Sequence, residues 1–114
     1  MTQARRALGA SGESAVAAWY EEQGYEVLAR NWRCPAGELD LIVRRGRVFV
    51  FCEVKTRSSD AFGAPVEAVT RDKQTRLRHL AARWLDEAPL RPTEIRFDVA
   101  SVLAGQIEVV EGAF

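Results

Sequence analysis

Lysine is scarce in this sequence. Of its sixteen lysine and arginine residues, only Lys55 and Lys73 are lysine. Arginine therefore serves wherever a general positive charge is needed. A lysine that is kept indicates a need for a compact ammonium group, which a planar guanidinium does not imitate. The two lysines are candidate functional residues for this reason.

Cysteine and histidine are also scarce. The two cysteines, Cys34 and Cys52, are too few for a disulfide framework or a cysteine zinc site. Cys52 lies within a strand pattern, where a buried free thiol is ordinary core material. The single histidine, His79, lies off the apolar stripe of its helix and is a poor candidate for a general base. Free thiols fit a reducing compartment, so we expect a cytoplasmic protein.

Long apolar runs are missing from the sequence. No stretch approaches the ~20 residues of a membrane span, and the basic N-terminus lacks the apolar segment of a secretory signal. We therefore expect no membrane association. The net charge is zero, but basic residues prevail in 30–57 and 71–83 and acidic residues prevail after 84. This distribution permits a nucleic-acid-binding face without requiring one.

The composition is that of a globular protein. The chain has 114 residues, 47% apolar and 28% charged, which predicts one domain over residues 1–114. Hydrophobic periodicity and turn residues predict two helices, at about 10–23 and 70–87, and five strands, at 25–32, 38–44, 48–57, 94–102 and 106–110. A loop is predicted over 58–69. The order αβββαββ predicts a mixed β-sheet packed by helices, in the α/β or α+β class.

The stretch FCEVKTR, residues 51–57, places two charges inside a strand pattern. Glu53 and Lys55 alternate with apolar neighbours. Burial of an ionised carboxylate or ammonium costs several kcal/mol, of order 3–5, unless each group finds a partner. The pattern therefore indicates that these charges have partners and a purpose.

The preceding strand supplies further carboxylates. If the hairpin loop consists of Arg45-Gly46, Glu38 lies opposite Glu53, and Asp40 lies diagonal to it on the same face, within about 5 to 8 Å. Lys55 also lies on this face. An odd-length loop without a bulge would reverse the assignment of faces.

Like charges across a strand pair repel, so a cation between them is expected. Asp40, Glu53 and the backbone carbonyl of Val54 are oxygen ligands of the kind that Mg²⁺ prefers. Lys55 beside them would orient or deprotonate an attacking water, which suits phosphodiester hydrolysis. The alternative is a buried salt-bridge network that fixes strand register, although it leaves a surplus carboxylate.

Another unusually placed carboxylate lies on the first helix. Glu13 shares the inward stripe with Val16, Ala17 and Tyr20. A carboxylate near a helix N-terminus is also favoured by the helix dipole, which is the structural alternative. For Glu38 we favour a pair with Arg57 or another arginine.

An ordered set of segments resembles a known group of proteins. GELDLIVRRGRVFVFCEVKTR (37–57) resembles the D-x(n)-E-x-K core of the PD-(D/E)xK nuclease superfamily, whose members include restriction enzymes and Holliday-junction resolvases. The chain is more narrowly similar to the YraN-like bacterial family of nuclease-like proteins. Leu39 stands where the superfamily's name has proline. The supporting segments are GESAVAAWYEEQGYEVLARNWR (12–33), FGAPVEAV (62–69) with Lys73, and IRFDV (95–99).

The resemblance implies a restriction-endonuclease-like core and specific residue roles. Asp40 and Glu53 take the metal-carboxylate roles, Lys55 that of the catalytic lysine, and Glu13 that of the helix glutamate turned toward the metal. The implied cofactor is Mg²⁺ or Mn²⁺, the implied substrate is DNA, possibly branched, and a homodimer is possible by analogy with resolvases. The alternative function is a nucleic-acid-binding module without turnover.

Three further residues are candidate substrate contacts: Lys73, Arg57 and Gln74. Lys73 begins the inward stripe of the second helix, from which its ammonium would reach the site's edge or a phosphate. The alternative is a lysine that extends from a core face to solvent. Gln74 is also simply a good helix former.

Overall fold

The computed structural model describes residues 3–57 and 69–114, with side chains from residue 12 onward. Within these described residues, two helices and five strands confirm the predicted α+β class with a mixed sheet. The loop predicted over 58–69 lies outside the described residues except for Val69. The elements in chain order are α1 (Gln3–Glu22), β1 (Glu26–Cys34), β2 (Gly37–Arg45), β3 (Val48–Arg57), α2 (Arg71–Glu87), β4 (Glu94–Leu103) and β5 (Gln106–Val110).

Helix α1 begins about seven residues earlier than predicted and ends where predicted. Its first residues include alanine, leucine and arginine, which favour helix, so the helix extends beyond the apolar stripe that marked it. Gly24 follows its end with a φ of 87°, a conformation that glycine adopts at little cost. Val16 and Tyr20 are fully buried against the sheet.

Helix α2 spans the predicted residues. Thr70 is its N-cap and accepts a hydrogen bond from the Lys73 N–H at 3.2 Å. Leu77 and Leu80 are buried against the sheet face opposite α1. Neither of the two helices in the described part of the chain has the length and apolar character needed to span a membrane.

The five strands form one sheet in the order β1-β2-β3-β4-β5. All neighbouring strands are antiparallel except β3 and β4, which are parallel because α2 connects them. Two apolar clusters cover the two faces of the sheet. The α1 cluster includes Val43, Val50 and Val102, and the α2 cluster includes Phe51 and Phe97.

The β2–β3 hairpin turns one residue later than predicted. Its two-residue loop is Gly46-Arg47, and Arg45 pairs with Val48. Gly46 has a φ of 62°, and glycine at the first loop position suits this conformation. Each β2 residue is therefore paired with a β3 residue two positions further along β3 than predicted. The predicted pairing of Glu38 with Glu53 is wrong. Because side chains alternate, an even shift keeps the β3 side chains on their predicted faces.

Candidate active site

The candidate site lies where β2 separates from β3. Their pairing ends at Leu41 opposite Cys52, whereas β3 continues alongside β4 as far as Arg57. Leu39 packs in the α2 cluster together with Ile42, while Leu41 packs in the α1 cluster. Strict alternation along β2 would place Leu39 and Leu41 on the same face, so their packing in different clusters shows that the alternation is broken. Regular alternation stops at Asp40, between them.

Asp40 takes the place of a strand partner for β3. Its Oδ2 accepts a hydrogen bond from the Val54 N–H at 2.9 Å. Burial and the negative charge of Glu53 raise the pKa of its carboxyl to about 7, while the Val54 hydrogen bond acts in the opposite direction. The predicted crowding of Asp40 and Glu53 is thus found in the structure.

Glu53 is the most buried carboxylate of the site, at 8% exposure, and it is contacted by both lysines of the chain. Its Oε1 lies 2.6 Å from the Nζ of Lys73 and 3.3 Å from the Nζ of Lys55. The two lysines come from different elements, β3 and α2. Sequence periodicity placed Lys73 on the inward face of its helix, and the structure places it against Glu53.

The two ammonium groups have opposite pKa shifts. Burial lowers the pKa of Lys55, and the adjacent Lys73 lowers it further against the influence of Glu53. Burial also opposes the charge of Lys73, but its hydrogen bond with Glu53, its contact with Lys55 and the charges of Glu53 and Asp40 together outweigh burial and raise its pKa. Of the two lysines, Lys55 is therefore the one that more readily releases a proton.

Glu13 approaches the same site from α1. Burial raises its pKa, a hydrogen bond with the Asn31 side chain opposes this, and the charges of Glu38 and Glu53 raise the pKa further. Asn31 has a φ of 52° and lies in β1, beside the break in β2. We did not single out Asn31 from the sequence. The sequence does contain one signal for this residue: asparagine tolerates the left-handed conformation, and it stands here within a strand pattern.

Glu38 pairs with an arginine, as expected from the sequence. The arginine is Arg33, its partner across β1 and β2, with 3.4 Å between Nε and Oε2. Glu38 nevertheless remains close enough to raise the pKa of Asp40. It belongs to the electrostatic surroundings of the site.

An apolar wall explains the burial of the two central carboxylates. Phe51, Leu77 and Phe97 line a cavity of about 10 Å³ together with Asp40 and Glu53. A space of this size holds about one water molecule. On the side of this cavity, few water molecules are therefore available to stabilise the charges of the Asp40 and Glu53 carboxylates.

The remaining predicted contacts lie around this centre. The Gln74 Nε2 donates a hydrogen bond to the Val69 carbonyl at 3.1 Å, which ties the start of α2 to the preceding segment. Arg57 lies on β3, two residues beyond Lys55, and is half-buried. Contact of either side chain with a substrate stays a prediction.

A second buried carboxylate, Asp98, has a structural role. It is 0% exposed and accepts hydrogen bonds from Tyr20 at 2.6 Å, from Arg96 at 2.8 and 2.9 Å, and from the Gly112 N–H at 3.0 Å. With four hydrogen bonds, its oxygens are satisfied. Asp98 is thus a link among α1, β4 and the C-terminal segment.

The donor chemistry of the site fits a hard divalent cation with few protein ligands. Asp40 and Glu53 offer carboxylate oxygens, and the Val54 backbone lies beside them. Among residues 12–57 and 69–114, no three Asp, Glu, His or Cys side chains are grouped closely enough to hold one ion. Mg²⁺ commonly binds to one or two carboxylates and keeps several waters, so two carboxylates suffice. Ligation by Glu13 stays a prediction.

Comparison with known proteins identifies the family. The model of Uncharacterised protein family UPF0102 matches residues 12–102. The chain belongs to this family. The UPF0102 match includes Glu13, Asp40, Glu53, Lys55 and Lys73, and therefore the whole candidate site.

UPF0102 proteins from several organisms match along nearly their full length. The chain is 54% identical to a UPF0102 protein of Beutenbergia cavernae, with 96% of this chain and 97% of the relative covered. It is 46% identical to one of Moorella thermoacetica, with both chains covered completely. A UPF0102 protein of Frankia alni is 47% identical over 97% of each chain.

Proposed function

We propose that this protein is a metal-dependent nuclease that hydrolyses phosphodiester bonds in DNA. One observation carries the proposal: Asp40 and Glu53 are crowded at the break between β2 and β3, with Lys55 in contact with Glu53. A fold without a ligand for this site has little reason to place two buried carboxylates side by side. The resemblance of the D-x(n)-E-x-K pattern to PD-(D/E)xK nucleases supports the same chemistry.

Each side chain has a defined task in this proposal. Lys55 accepts a proton at Nζ from the attacking water, and its lowered pKa favours the neutral amine that this requires. Glu53 orients the Lys55 amino group through the 3.3 Å contact between Oε1 and Nζ. The Val54 N–H fixes the Asp40 carboxylate, so the position of Asp40 relative to β3 does not depend on a flexible side chain alone.

Mg²⁺ or Mn²⁺ is the proposed cofactor. Asp40, Glu53, the Val54 carbonyl and Glu13 would hold it, and it would supply positive charge for the phosphate as negative charge develops there. The basic residues of 30–57 and 71–83 supply further attraction for a polyanion. DNA that is branched or otherwise structured is the substrate that the resolvase resemblance favours.

A substrate panel tests the proposal. Duplex, flap, four-way junction and single-stranded DNA are incubated with the protein and Mg²⁺ or Mn²⁺, and products are resolved by denaturing electrophoresis. We expect cleavage of at least one substrate by the unmodified protein and none by Lys55→Ala. Arg91→Ala is the matched control, because Arg91 is exposed and lies outside both basic stretches.

The control variant should cleave as the unmodified protein does. Undiminished cleavage by Lys55→Ala would show that Lys55 has no part in the chemistry and would refute the mechanism. Circular dichroism of both variants establishes that the fold is retained.

A DNA-binding module without turnover is the second candidate, and one observation favours it. Glu53 already has two ammonium partners within 3.3 Å, so its charge is neutralised by the protein itself. A module of this kind would bind DNA in the presence of a chelator, with affinity that falls steeply with salt. Binding in chelator combined with no cleavage of any substrate would favour this function over the nuclease.

A further inference from the structure

The two lysines of the chain share one oxygen atom. Both ammonium groups contact Oε1 of Glu53, and the contact of Lys73 is the shorter, at 2.6 Å against 3.3 Å. The other fourteen basic residues are arginine. One oxygen shared by two cations leaves those cations in mutual repulsion, so the arrangement is strained electrostatically.

The position of Lys73 is unfavourable for a lysine on helical grounds. It lies in the first turn of α2, near the positive end of the helix dipole, where a cation is disfavoured by about 0.3–1 kcal/mol. Its backbone is fixed through the hydrogen bond to the Thr70 cap. The Lys73 side chain is flexible and ends in a compact ammonium group. An arginine would instead bind the carboxylate through two parallel hydrogen bonds from its planar guanidinium.

The two central carboxylates and the two lysines balance without any added ion. When Asp40 and Glu53 are ionised and both lysines are protonated, the two ammonium groups compensate the two negative charges. A divalent cation would add two positive charges to this neutral group of four side chains. Lys55 lies two residues from Glu53 on the same strand, β3, whereas Lys73 belongs to α2. Lys73 is therefore the cation that can move away with least change to the sheet.

We propose that Lys73 is an exchangeable counter-cation. Its ammonium neutralises Glu53 while no metal is bound, and binding of a divalent ion displaces it toward the phosphate of the DNA. This inference rests on the proposed function, because it assigns a regulatory step to the same site. The displaced lysine is then available to the substrate's phosphate, so metal and DNA bind cooperatively, each raising the affinity for the other.

Metal affinity tests the exchange. Binding of Mn²⁺ in the absence of DNA is measured by calorimetry for the unmodified protein, Lys73→Gln and Arg83→Gln. We expect Lys73→Gln to bind Mn²⁺ about tenfold more tightly, because the competing cation is gone. Arg83 is exposed, near the other end of α2, so its removal controls for general loss of positive charge. Arg83→Gln should leave the affinity unchanged.

Lysine labelling tests the same step without a variant. The chain offers only Lys55, Lys73 and the N-terminal amine to an acylating reagent. We expect labelling of Lys73, measured by peptide mass spectrometry against the N-terminal amine, to rise several-fold when Mn²⁺ is saturating. This measurement decides the matter if Lys73→Gln does not fold.

The outcomes separate the two proposals. If Mn²⁺ binds but Lys73→Gln binds no more tightly than the unmodified protein, or Lys73 labelling does not change, the exchange is refuted and the nuclease remains open. If neither the unmodified protein nor Lys73→Gln binds Mn²⁺ or Mg²⁺, the metal-dependent nuclease is refuted, and the exchange with it.

Discussion

Replacing Asp40 with asparagine should stabilise the metal-free protein at alkaline pH. The Asp40 carboxylate is buried beside Glu53, and these two causes raise its pKa from 3.8 to about 7. Asparagine has nearly the same shape and keeps an oxygen that can accept the Val54 N–H hydrogen bond. The substitution therefore removes a costly charge with little change to packing.

The magnitude follows from the pKa difference between the folded and unfolded states. An aspartate in the unfolded chain has a pKa of about 3.9, whereas that of Asp40 in the folded protein is about 7. For each pH unit between these two values, ionisation of Asp40 lowers the free energy of unfolding by about 1.4 kcal/mol. Because the folded pKa of this acid is the higher one, its ionisation destabilises the fold. The penalty is absent below about pH 4, grows as pH rises, and is complete above about pH 7. We expect Asp40→Asn to be more stable by about 2–4 kcal/mol at pH 8.

Urea denaturation in chelator, followed by circular dichroism at several pH values, measures this difference. The free energies of unfolding of Asp40→Asn and the unmodified protein should converge near pH 4 and separate toward pH 8. Glu26→Gln is the control, because Glu26 is an exposed carboxylate whose pair with Arg44 is worth about 0–1 kcal/mol. Its effect should not grow between pH 5 and pH 8.

The result also distinguishes the two explanations for the buried charges. If Asp40 belonged to a salt-bridge network that stabilises the fold, Asp40→Asn would be less stable than the unmodified protein at pH 8. That outcome would refute our reasoning. If Asp40 is held for a ligand, saturating Mn²⁺ should narrow the stability difference, since only the unmodified protein keeps both carboxylates.

Three further predictions concern the surrounding fold. Asp98→Ala should destabilise the protein by about 3–5 kcal/mol in urea denaturation, because Arg96 loses its buried partner, whereas a loss under 1 kcal/mol would contradict this. Gly12→Ala should cost about 1–3 kcal/mol by the same measurement, since a Cβ there would overlap the Thr56 hydroxyl; an unchanged midpoint would show that Thr56 moves aside freely. Burial raises the pKa of the Cys52 thiol, so a thiol reagent should modify it only after unfolding, and rapid modification of the native protein would refute its burial.

Local patterns predicted most of the fold. Thr70 and Gly24 mark helix ends through capping chemistry that involves only neighbouring residues, so both boundaries agree with the structure. The faces of β3 also follow from alternation, which places Phe51 toward α2. The turn at Gly46 was misplaced by one residue because Arg45 and Arg47 look equally suitable for a loop. Its position depends on the strand partners as well as on the loop sequence.

The site required tertiary information that local patterns do not contain. The crowding of Asp40 and Glu53 was predictable because both residues belong to one hairpin. The contact of Lys73 with the same carboxylate depends on how α2 packs on the sheet, and periodicity gives only the direction of that side chain. Asn31 was missed because its left-handed conformation matters only beside the break in β2.

The break in the sheet explains why the carboxylates meet where they do. β3 has β4 as a continuous parallel partner, so it can lose β2 at Leu41 without losing its place in the sheet. The Val54 N–H that faces the separating strand would otherwise need a carbonyl partner, and the Asp40 carboxylate supplies the acceptor instead. Had the ladder continued, the Val54 N–H would bond to the backbone of β2, and the Asp40 carboxylate would lack this hydrogen bond. The hydrogen bond from the Val54 N–H to Asp40 therefore replaces the missing backbone partner and also holds Asp40 beside Glu53.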